Sequence, residues 1–180
     1  MANIEAARAA TEFLLSGGRR RIALVGAHPG EKVGSAGLRE AGYRQAIEAA
    51  GLAVDPALIA EAGPWHRSTG ADAMGRLLDS GTRVDAVFAL NDAMALGVLH
   101  VLHDRRIAVP DEVAVIGFDD IDEVRYSSPT LTTVAAGREQ IARTAVELLR
   151  QRIDGTAPGP YREVVADYSI VVRESAVFPR

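Results

Sequence analysis

Cysteine is absent from the 180 residues. Its absence excludes a disulfide framework, a thiolate metal site and a thiol nucleophile, and leaves the redox compartment undetermined on this count. Long apolar runs are missing as well. No stretch approaches the ~18 apolar residues of a membrane span, and the opening MANIEAARAATEFLL has no positive segment ahead of an apolar core. The chain as given reads as cytoplasmic, with no membrane partner. Basic charge is also scarce. A formal net charge of -4 and a pI near 5.6, with Arg19-Arg20-Arg21 as the one basic run, argue against a broad footprint on nucleic acid or anionic lipid.

What is present suits a globular α/β protein. The apolar share of 48% and charged share of 24% are ordinary for a folded domain, and 180 residues hold one domain, or one and a fragment of another. Ala6, Ala9, Ala10, Phe13 and Leu14 recur at helical spacing up to Gly17-Gly18. Ile22 to Gly26 is a continuous apolar run, the pattern of a strand buried on both faces of a parallel sheet. Helix and strand then alternate: helix 36–50, strand 58–61, helix 68–78, strand 84–90, helix 93–103, strand 113–118. Such alternation predicts right-handed βαβ units and a Rossmann-like parallel sheet flanked by helices. Beyond Phe118 a short crossing at 131–134, an amphipathic helix at 138–154, a break at 155–160, strand pieces at 164–165 and 169–172, and a tail from Glu174 complete the expectation.

In open parallel sheets ligands bind beyond the carboxyl ends of the strands. The residues found there are Arg39, after the glycine-rich stretch that follows the first strand, then Trp65, then Asn91 in Asn91-Asp92, then Asp119 in Asp119-Asp120. Guanidinium, amide and carboxylate groups hold adjacent hydroxyls with paired hydrogen bonds, and an indole covers an apolar C–H face. Together they fit a sugar. Singly each has an ordinary reading: Asn91 as a helix N-cap, Asp119 bonded to turn amides, Trp65 as a loop anchor, Arg39 as a solvated helix residue.

Other chemistries fit less well. GAHPGEKVGSAG lacks the Gly-Lys-Ser/Thr ending of a P-loop and the GxGxxG of a dinucleotide fold. His100 and His103 lie one turn apart without an evident third metal ligand. Asp119, Asp120, Asp122 and Glu123 are compatible with Mg²⁺-dependent phosphoryl transfer, but no phosphate-cradling loop accompanies them. Ser35 has no nucleophile elbow. The reading is a non-enzyme without cofactor or metal.

AVFALNDAMALGVLHVL, EVAVIGFDDID and PTLTTV, in this order and spacing, resemble the effector-binding core of the lactose and galactose repressor family of bacterial transcription regulators. The resemblance extends over nearly the whole chain. It implies one lobe of a two-lobed fold like that of periplasmic sugar-binding proteins, with a sugar effector in the cleft contacted by Arg39, Trp65, Asn91 and Asp119. It further implies that residues 1–134 form one lobe, that 135–160 cross to the other lobe, most of which lies outside this chain, and that 161–180 return. A homodimer or other homo-oligomer, assembled near residues 93–103 and 121–131, would meet operator DNA through a helix-turn-helix head that this chain does not contain. One departure is Ala135-Ala136-Gly137, where the family often has a polar residue after TTV, so no ligand contact is expected from that crossing. The competing readings are a solute-binding protein for sugar uptake and a phosphoryl-transfer enzyme. Finally, the stripe Ile141, Ala145, Leu148, Leu149 and Ile153 needs a cover, which a second copy of the chain would supply.

Overall fold

A computed structural model describes residues 1–156, 159–160 and 162–178. Its elements are α1 (Asn3–Ser16), β1 (Ile22–Ala27), α2 (Ser35–Ala49), β2 (Ile59–Glu61), α3 (Arg67–Asp79), β3 (Ala86–Ala89), α4 (Asp92–Asp104), β4 (Ala114–Phe118), β5 (Thr132–Ala135), α5 (Arg138–Ile153) and β6 (Ser169–Val171). They build a six-stranded sheet in the order β2-β1-β3-β4-β5-β6. The first five strands are parallel, and β6 pairs antiparallel to β5.

The continuous apolar runs explain the centre of the sheet. Every residue of β1, β3 and β4 is buried, while the edge strands β2 and β6 are partly exposed. Strand order decides which face each helix covers. The chain steps from β1 outward to β2, then back across β1 to β3 and on to β4. With right-handed crossovers this reversal puts α2 on one face and α3 and α4 on the other. Helix α1 packs on α2, and α3 packs on α4. The reversal opens a crevice between the carboxyl ends of β1 and β3, the place where open α/β sheets hold ligands.

Two expectations are corrected near the end of the chain. Val164 and Val165 are not strand; both are half exposed in an extended segment beside α5, with no neighbour strand to pair with. Residues from Glu174 are not a loose tail. A short 3-10 turn, Glu174–Ala176, is drawn under β4 and β5, where the buried Ser175 hydroxyl donates to the Val115 carbonyl at 2.7 Å and accepts the Thr132 amide at 2.8 Å. Of the expected break at 155–160, residues 157 and 158 lie outside the described set, as do 161, 179 and 180 of the return and tail. Helix α5 leaves the body of the fold from Gly137 and has no buried residue.

Candidate functional site

Arg39 is the centre of the site. It lies on the sheet-facing side of α2 and is 3% exposed, so it is not a solvated helix residue. Its guanidinium lies over the Phe118 ring at 3.6 Å and near Trp65, 5.3 Å from that ring's centroid. Nη1 donates to the Leu90 carbonyl and Nε donates to Asn3 Oδ1 at 3.0 Å. An aromatic face offers a buried cation favourable electrostatics without occupying its N–H groups. Burial lowers the Arg39 pKa, and Asp119 first, then Asp92, push it back up. A guanidinium keeps its charge under such a shift.

Asp119 follows the last residue of β4 and faces Arg39 across 3.7 Å, too far for a direct hydrogen bond. Burial raises its pKa despite the opposing pull of Arg39 and Arg138. Arg39 and Asp119 are therefore both shifted toward their neutral forms, because desolvation outweighs an attraction at this distance. The Asp119 carboxylate accepts no hydrogen bond from any described residue. Its backbone has φ 119°, a conformation that favours glycine, and Asp120 has φ 52°. The turn is held by Asp119 N–H donating to the Val134 carbonyl at 2.8 Å and by Arg173 Nη2 donating to Asp120 at 2.6 Å. Non-glycine residues in such backbone persist where surrounding structure over-determines them, a pattern of functional sites.

Trp65 sits in the loop between β2 and α3. Its Nε1 donates to the Gly26 carbonyl at 3.0 Å, which ties the ring to the end of β1. Asn91 realises its ordinary reading and one more. It is the N-cap of α4, where Oδ1 accepts the Met94 amide at 2.8 Å, and its Nδ2 donates to the Trp65 carbonyl at 3.3 Å. The structure thus brings Arg39, Trp65, Asn91 and Asp119 to one end of the sheet. Arg39 contacts Trp65 and Asp119, and Asn91 holds the Trp65 loop.

Sequence reasoning missed two participants. Phe118 reads as one more buried strand residue, yet its face carries Arg39; the available signal was an aromatic ring at the last strand position before Asp119. Asp92 reads as the partner of Asn91 without a role of its own. It is fully buried, its Oδ1 accepting the Thr133 hydroxyl at 2.6 Å and its Oδ2 the Ile121 amide at 3.0 Å. It therefore ties α4, β5 and the turn after Asp119 together. Among the described residues there is no group of three or more acidic or imidazole side chains placed to hold a metal, and no helix is long and apolar enough to cross a membrane.

Residues 11–176 match the family model of the periplasmic binding protein-like domain. The transcriptional regulator CelR of Thermobifida fusca is 40% identical over 174 residues, covering 96% of this chain and 50% of that protein. A solved structure from Sanguibacter keddieii, described as a transcriptional regulator of the LacI family, superposes with a TM-score of 0.92 at 54% identity, covering 98% of this chain and 65% of that one. A transcriptional regulator CelR in complex with cellobiose gives a TM-score of 0.88 at 37% identity, covering 97% and 52%. The chain spans about half the length of the curated relatives it matches. It belongs to the periplasmic binding protein-like domain family, in the form found in LacI-type transcriptional regulators.

Proposed function

We propose that the chain is the effector-sensing part of a transcriptional regulator and that its effector is a sugar held by Arg39, Trp65, Asn91 and Asp119. Residues 1–134 and 161–180 are one lobe, and 135–160 cross to a second lobe. The whole protein is cytoplasmic, acts as a homodimer or other homo-oligomer without cofactor or catalysis, and reaches operator DNA through a head outside this chain. The observation that carries the reading is the Asp119 carboxylate. It is 37% exposed, lies 3.7 Å from a buried guanidinium, and its acceptor sites are unspent among the described residues. A sugar hydroxyl can donate to it while accepting from Arg39, and Trp65 offers an indole surface beside them.

The test uses the full-length gene product and calorimetry with cellobiose as first probe, the ligand of a solved relative, followed by other neutral sugars. Asp119→Ala is expected to weaken binding roughly 10- to 100-fold, since a hydrogen bond to a charged group contributes about 1.5–3 kcal/mol. Its folding stability should stay within about 1 kcal/mol of the parent, because the carboxylate accepts no hydrogen bond from any described residue and its attraction to Arg39 and Arg138 is outweighed by its desolvation. Unfolding of the variant, or sugar binding unaffected by it, would defeat the assignment.

A further inference from the structure

His28 begins the loop after β1 and bridges two loops. Its Nδ1 lies 3.1 Å from Glu31 Oε2, and its Nε2 lies 3.0 Å from the Gly63 carbonyl in the loop that carries Trp65. The two rings also meet, with centroids 5.7 Å apart. Glu31 is itself anchored, its Oε1 accepting the Ala36 amide at 2.9 Å at the start of α2. Both imidazole nitrogens therefore face acceptors, and only the imidazolium donates to both. Neutral His28 keeps one N–H. The charged Glu31 is the stronger acceptor, so the retained proton sits on Nδ1 and the bare Nε2 lone pair then opposes the Gly63 carbonyl.

We propose that His28 is a protonation-dependent strap on the Trp65 loop, a positioning residue for the sensing site. Resting on the sensing function proposed above, it makes effector affinity fall as pH rises through the His28 titration. The Gly63 and Glu31 contacts, in that order, raise the His28 pKa above 6.5, against a smaller desolvation effect. A raised pKa means that the strap is closed at low pH and lost as pH rises through the raised value. Of the other charged groups nearby, Lys32, Glu40, Arg44 and Glu61 line the groove between α2 and β2 beside His28, Arg39 stands 5.3 Å from the Trp65 ring, and Arg76 donates to the Glu61 carbonyl at 3.0 Å. Glu40 and Arg44 pair there at 2.7 Å. His66 adjoins Trp65 in sequence and is the other imidazole able to report there.

Trp65 is the single tryptophan of the 180 residues, so its quenching by acrylamide reads the loop directly when these 180 residues are expressed alone and kept free of effector. No effector enters this measurement, and its failure is distinct from failure of the sensing assignment. Quenching is expected to rise with pH about a midpoint above the ordinary histidine value. His28→Phe should lose the pH dependence and stay at the high level, Glu31→Gln should move the midpoint down, and His66→Asn should change neither. Quenching independent of pH in the parent, an unchanged rise in His28→Phe, or loss of the rise in His66→Asn would each overturn the proposal.

Discussion

At the scale of single residues, the buried carboxylate of Asp92 concentrates the electrostatic cost of the site. Burial pushes its pKa up to about 6 from an ordinary 3.8; the Thr133 hydroxyl and Ile121 amide oppose that rise, while Asp119 and Asp120 reinforce it. Between those values the folded protein binds more protons than the unfolded chain. Stability therefore falls as pH rises through that window, by roughly 3 kcal/mol for a displacement of about two units. Asp92→Asn is expected to flatten this dependence, because an amide can still accept from Ile121 N–H while its NH₂ donates to the Thr133 hydroxyl. Asp92→Ala strands both donors and should lose about 2–3 kcal/mol. Urea midpoints collected from pH 4 to 7 give the answer, and an Asp92→Asn protein with the parent's slope would show that another group titrates.

At the scale of elements, the distance between α3 and α4 sets the distance between Trp65, just before one helix, and Asn91, at the cap of the other. Two glycines permit that distance. A Cβ on Gly97 would overlap the Arg67 carbonyl oxygen, and one on Gly70 would come within 2.6 Å of Met94 Cα. Gly97→Ala is therefore expected to lose about 1–3 kcal/mol through overpacking, although alanine is the better helix former. Gly75, on α3 with nothing within 4 Å of an added Cβ, is the control. Gly75→Ala should gain up to about 1 kcal/mol from helix propensity alone. Thermal midpoints moving in opposite directions would support this account of the helix pair; a neutral Gly97→Ala would refute it.

At the scale of the whole molecule, α5 stands apart from an otherwise closed core. Val146, Leu149 and Ile153 are 68%, 62% and 76% exposed, whereas Leu148 is partly buried and lines a cavity together with Arg162, Val164 and Ala166. Covering a leucine or isoleucine fully contributes about 1.5–3 kcal/mol, so such a stripe favours association. Expressed as these 180 residues, the protein is expected to show a concentration-dependent mass above 19.1 kDa in sedimentation, with the stripe against a second copy. Leu149→Glu should shift it toward the monomer. A parent chain that sediments as a monomer at every concentration tested would count against this.

The sequence by itself determined the local and periodic features. Continuous apolar runs made β1, β3 and β4, helical spacing placed the end of α1 and both ends of the other four helices to within about one residue, and the position of Arg39, Trp65, Asn91 and Asp119 after successive strands put them at one end of the sheet. The tertiary structure decided what depends on contacts distant in sequence. Arg39 has the same identity whether solvated or buried; packing against Phe118 and beside Trp65 made it buried. Asp92 acquired its perturbed carboxyl because Thr133 and Ile121, 41 and 29 residues away, close over it. Val164 and Val165 have strand-like composition, but a strand requires a neighbour to share its hydrogen bonds, and β6 formed beside β5 instead. Strand propensity is a property of residues; pairing, burial and the shift of a pKa belong to the surroundings that the fold assembles.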